Sequence, residues 1–205
     1  MKMKFVLVIF VTLITGCVFG QDTKTFVKKI ACSENAPFTG YRLSITYNEQ
    51  DNAQKELGFL DEIQLTDNSK LKLIGQLLSF TKDKSLSCRK VTSYVFGSEG
   101  CRGFPDTVKR YSITIEALFL INKLCWPKSM EAYSCSPVLY DTLEKRVINN
   151  DPKAISCFVK EYKKWYKECK KLGRISKEFP FNTGRYVWFG GRKYVKPEDN
   201  PALFN

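Results

Sequence analysis

The nearest the sequence comes to a nucleophile beside its base is the Ser-x-x-Lys spacing, found among other places at Ser69/Lys72 and Ser87/Lys90. A lysine can take a serine proton when its surroundings favour the neutral amine. With 14 serines and 25 lysines among 205 residues, about two such pairs arise by chance, so neither marks a nucleophile. The chain has no histidine. That removes Ser-His-Asp catalysis, Cys-His catalysis and histidine bases together. Glycan cleavage by two carboxylates needs only acids about 5–10 Å apart in a cleft. Asp61/Glu62 would qualify, although a solvated turn accounts for them more simply. Gly184, Gly190 and Gly191 form no Gly-x-Gly-x-x-Gly, and no Gly-Lys-Ser/Thr occurs. The sequence favours a non-enzyme without a cofactor. A carboxylate-dependent hydrolase, acting on glycans, is the alternative.

Cysteine is the other reactive residue type. Seven cysteines follow Cys17, and no two are spaced Cys-x-x-Cys. Without such a pair or a histidine, zinc is not expected and disulfides are. Local loops suggest Cys125 with Cys135 across a Trp-Pro turn, and Cys88 with Cys101 across Gly97 and Gly100. Cys157 and Cys169 should not bond to each other. Twelve residues of straight helix separate them by about 18 Å, against a Cα separation of about 7 Å at most for a disulfide. Cys32, with no local mate, is matched to Cys157.

Charge gives the strongest functional signal. Residues 145–196 hold 15 Lys or Arg and four Asp or Glu, whereas the rest of the chain beyond residue 20 is nearly neutral. A basic face of this kind attracts an acidic protein, a glycan or a lipid headgroup; nucleic acid ranks below these. The residues expected to bind are Lys163, Lys167, Lys170, Lys171, Arg185, Trp188, Arg192 and Lys193. A lysine arc that merely solvates its helix is the competing account. Likewise, Tyr186, Trp188 and Tyr194 are expected either to stack on a ligand or to pack on the domain.

These residues need elements to hold them. The basic segment reads as a helix over 152–172, with Asp151 as N-cap, Pro152 in the first turn and Gly173 as the stop. At 100° per residue, Ile155, Phe158, Val159, Tyr162, Trp165, Tyr166, Cys169 and Leu172 share one arc. Lys153, Lys160, Lys163, Lys164, Lys167, Lys170 and Lys171 fill the next, and Cys157 lies beyond them. Two strands over 185–189 and 192–196 flank Gly190-Gly191 and predict a hairpin with Trp188 opposite Lys193. Upstream, residues 41–47 alternate as a strand, and 91–96 read as another. Asp67 and Asp106 are candidate N-caps for two helices, the second apolar nearly all round at 117–121 and therefore central. A short hairpin is expected over 137–140 and 146–148.

Apolar content of 43% and aromatic content of 14% exclude wholesale disorder. Elements that do not alternate regularly favour α+β. The expected architecture is a single compact, disulfide-stabilised domain over 21–205, with the amphipathic helix and hairpin last. Residues 1–20 read as a signal peptide: Lys2 and Lys4, a short apolar run, then Val18 and Gly20 before a cut at Gln21. The protein is thus expected in the periplasm or outside the cell. Ile14-Thr15-Gly16-Cys17 also resembles a lipoprotein box, and lipidation of Cys17 would tether the domain to a membrane.

Overall fold

The computed structural model describes residues 25–48, 54–56, 65–92, 108–127 and 133–194. These form three helices and two small antiparallel sheets. The first sheet is ordered β1 (Thr25–Ala31), β2 (Tyr41–Asn48), β3 (Gln54–Glu56). Helices α1 (Asp67–Ser79) and α2 (Ile113–Cys125) follow, with a 3-10 turn over Phe80–Lys82 directly after α1. The strands β4 (Leu139–Asp141) and β5 (Arg146–Val147) precede α3 (Pro152–Leu172), and β6 (Tyr186–Trp188) comes last. No helix among the described residues is long and apolar enough to cross a membrane. The proposed signal segment, the lipoprotein box and Asp61/Glu62 lie outside the described residues.

Helix α2 is buried on every side from Ile113 to Asn122, as its all-round apolar pattern predicts. It packs against α1, α3 and β2. Its polar Glu116 lies in that core, where burial raises its pKa while Ser87 and Arg89 act against the rise. Arg89 Nε lies 3.2 Å from its Oε1, and the Leu43 N–H of β2 donates to the same oxygen at 3.0 Å. A second buried chain runs from the Trp188 indole N–H to the Tyr162 hydroxyl at 2.9 Å, and from there to Asn122 at 2.6 Å. It joins β6, α3 and α2.

Helix α3 follows its expected plan except at Leu172, which belongs to the apolar arc but is 63% exposed at the helix end. The Asp151 side chain accepts from the Lys153 and Ala154 N–H groups, Pro152 opens the helix, and Gly173 ends it at φ 64°. A left-handed residue there costs glycine nothing, and its N–H returns to the last turn. Phe158, Val159, Tyr162, Trp165 and Cys169 are buried, while the lysine arc faces outward. Tyr162 stacks on Phe181 with ring centroids 3.6 Å apart.

The caps of the other two helices differ from expectation. Thr66, not Asp67, caps α1, its hydroxyl accepting from the Ser69 N–H. Asp67 sits in the first turn, where a carboxylate also suits the helix dipole, and reaches across to accept from Ile175 N–H. Ser112 caps α2, and Asp106 lies outside the described residues. Of the strand expected at 91–96, Val91 and Thr92 are irregular and the remainder is outside the described residues.

The strand expected at 185–189 is β6, but its partner is β4 rather than 192–194. Leu139 pairs with Trp188, Tyr140 with Val187 and Asp141 with Tyr186, giving the order β5-β4-β6. The expected pairing of β4 with β5 is present. Burial decides the β6 register: Trp188 is fully enclosed, against Phe119 and Phe158. Gly190 has φ 70°, and a Cβ on Gly191 would lie 2.0 Å from the Tyr133 carbonyl oxygen. The turn therefore leads the chain away to Asn182, whose amide donates to Tyr133 and Arg192 carbonyls and whose carbonyl accepts from Tyr194 N–H.

The cysteine pairing is corrected as well. Cys32 bonds to Cys88. Backbone bonds from Tyr41 to the Leu86 carbonyl and from Cys88 to the Tyr41 carbonyl bring the segment around 86–88 beside the β1–β2 turn. Cys88 is therefore not paired with Cys101, nor Cys32 with Cys157. Cys125 is free and Cys135 is disulfide-bonded, so the Cys125–Cys135 loop does not form. Cys157 is free and exposed rather than covered by an N-terminal segment, and Cys169 is free and buried. The two are not bonded to each other, as helix geometry requires.

Candidate functional site

The basic face is built on α3. Lys153, Lys160, Lys164, Lys167, Lys170 and Lys171 are exposed, and Lys163 is half-buried. Over 18 residues the row extends about 27 Å along the helix axis. None of the seven ammonium groups is ion-paired with a carboxylate among the described residues. Lys170 lies over the Tyr166 ring at 5.5 Å. Glu161 and Glu168 flank the row on its far side, and Glu161 feels the charge of Lys164 without forming an ion pair with it.

The other expected binding residues divide. Arg192 and Lys193 are exposed. Arg185 is already engaged: its guanidinium donates to both Asp141 oxygens, at 2.9 and 2.6 Å, and to Glu144 at 3.1 Å. Those bonds raise its pKa and hold Asp141 at about 2. Trp188 is interior and can stack on no ligand. The aromatic part of the expected surface is thus core.

The serines of the Ser69/Lys72 and Ser87/Lys90 pairs serve local structure. Ser69 is buried beside its cap residue Thr66, and the Ser87 hydroxyl accepts from Arg89 N–H. Among the described residues no cluster of Cys, Asp or Glu could hold a metal ion.

Beside the basic face is a cavity of about 550 Å³. One wall is the stripe Pro152, Ile155, Ser156, Val159 and Lys163, on the border between the apolar and lysine arcs of α3. Facing it are Thr81, Lys82, Lys84 and Leu86, with Ser112, Thr114, Asn149 and Asn150 closing the ends. No Asp or Glu lines it. The 83–86 segment is strapped to the start of α2: Thr114 N–H donates to the Asp83 carbonyl at 3.1 Å, and Ile113 N–H to the Ser85 carbonyl at 2.9 Å.

Electrostatically, the cavity is cationic because no acid lines it and the acid between two of its lysines is taken. Asp83 lies between Lys82 and Lys84 in sequence, yet its carboxylate pairs with Lys29 of β1 at 2.6 Å and accepts from Ser85. Burial opposes ionisation of Asp83, but those bonds outweigh it and its pKa is lowered. Lys82 and Lys84 are left without a described acidic partner. Sequence reasoning passed over both, together with Leu86, because a Lys-Asp-Lys triplet of net charge +1 reads as an ordinary solvated turn. Only the β1 contact reveals the imbalance.

No family model, curated protein or solved structure matches this chain. Function therefore rests on the chain's own charge and shape.

Proposed function

We propose that this is an exported, non-enzymatic binding protein that engages an anionic partner through the lysine face of α3. The supporting observation is the row of seven lysines, none of them ion-paired with a described carboxylate, along the outer side of α3. Unpaired ammonium groups in a row lose little water and release counterions when a polyanion lies along them, which makes such a row suited to an extended acidic partner. The buried Cys88 in its disulfide with Cys32 agrees with an oxidising compartment. A glycan hydrolase working through two carboxylates gains no support from the described cavity, whose wall has neither.

The test is charge reversal of Lys167, Lys170 and Lys171 together, read by retention on heparin. The triple Glu variant should elute far earlier than the wild type while melting nearly where it does, because exposed charges change stability by about 0.5 kcal/mol or less each. Retention unchanged by the substitutions would leave the lysines with a solvating role only.

A further inference from the structure

We propose that the cavity beside α3 is a second site, separate in chemistry from the outer lysine face, for an amphiphilic anion: a short aliphatic chain ending in a carboxylate or phosphate. Three observations carry this. The volume, about 550 Å³, falls within the roughly 300–1,000 Å³ typical of small-ligand sites. Its lining combines the apolar side chains Leu86, Ile155 and Val159 with three lysines, Lys82, Lys84 and Lys163, and no Asp or Glu. Leu86 is 45% exposed, an uncovered aliphatic side chain at the edge of a cationic hollow.

The polar groups that could have occupied those cations are already in use. The Asp83 carboxylate serves Lys29 and Ser85, the Asn149 side chain bridges Leu139 and Pro137, and Thr114 binds the Asp83 carbonyl. The starts of both neighbouring helices are capped as well, by Ser112 and by Asp151, so helix N–H groups do not supply the anion site. The lysines do. An acid head would meet them while its chain covers Leu86, Ile155 and Val159. A neutral or cationic amphiphile would leave the ammonium groups uncompensated, and an inorganic anion would leave the apolar wall wet.

Calorimetric titration below the micelle concentration tests this with decanoate, decyl phosphate, inorganic phosphate and decyltrimethylammonium. The expected result is one saturable site per chain for decanoate, for decyl phosphate, or for both, with the stronger of the two identifying the head group. The inorganic anion and the cationic amphiphile should bind at least tenfold more weakly. Lys84→Glu with Lys163→Glu, one exposed and one half-buried position, should weaken the preferred ligand at least tenfold, and Ile155→Ser should weaken it several-fold by removing apolar wall. The Lys167, Lys170 and Lys171 triple variant should bind it as wild type does, so loss of heparin retention and loss of this site are separately visible. No saturable binding of either anion overturns the proposal, as does equal binding of the cationic amphiphile or indifference to the Lys84/Lys163 variant.

Discussion

Asp141 shows how one residue can be fixed by the same basic segment that supplies the binding face. Its carboxylate is enclosed at the end of β4 and receives three hydrogen bonds from Arg185, one of them shared, and two more from the Leu143 and Glu144 N–H groups. The Arg185 hydrogen bonds are the largest influence, and they outweigh desolvation to bring the pKa to about 2. A carboxyl depressed in the folded state stabilises the fold fully above its unfolded pKa, near 3.9, and loses that contribution as pH falls towards about 2. Asp141→Asn should therefore melt lower than wild type at pH 6, and the gap should narrow between pH 4 and pH 2 in thermal scans followed by circular dichroism. A gap that stays constant through that window would show that the carboxylate charge is not what matters. Arg185 illustrates where residue-level reading stops: its charge is plain from the sequence, but its partner, 44 residues away, is not. Trp188 is the converse. A tryptophan among arginines reads equally well as a stacking platform or as core, and only its enclosure by Phe119, Phe158 and Tyr162 decides.

At the scale of elements, α3 was the most legible because cap, first-turn proline, apolar arc and terminal glycine all agree locally. Its Asp151 does two things at once, capping Lys153 and Ala154 and pairing with Arg146 at 2.8 Å. Replacement by Ala should cost about 1 kcal/mol, within the usual 0.5–2 kcal/mol for a lost N-cap, seen as a lower urea midpoint with the slope unchanged. No change in midpoint would mean that α3 is held by its buried face alone. The final strand was less legible. A Gly-Gly turn between two β-rich runs is a good local hairpin signal, yet β6 joins β4 because Trp188 needs a deep pocket and Asn182 captures the chain after Gly191. The caps of α1 and α2 were displaced by one residue or more for a related reason. Thr66 and Ser112 are adequate caps whose selection depends on where the preceding segment enters, not on which nearby side chain is the stronger cap former.

The whole molecule adds what neither residue nor element contains. Cys32 and Cys88 meet because β2 binds the segment at 86–88, so the bond links positions 56 residues apart that sequence proximity would never pair. The same folding brings Lys29 to Asp83, frees Lys82 and Lys84 from their neighbour, and opens a cationic cavity against the border of α3. Lys163 was legible as part of the basic row; the wall opposite it was not, since it depends on contacts between the first sheet, the 3-10 turn and α2. The lysine row of α3 is proposed to bind anions through its charge. The most direct test of that proposal is the affinity of the wild-type protein for a heparin oligosaccharide across a series of salt concentrations, repeated with Lys167, Lys170 and Lys171 all changed to Glu. The logarithm of the association constant should fall linearly with the logarithm of salt concentration, and the slope should flatten by about three in the variant, roughly one for each lysine removed from the contact. An affinity independent of salt, or a slope that the three substitutions leave unchanged, would contradict it.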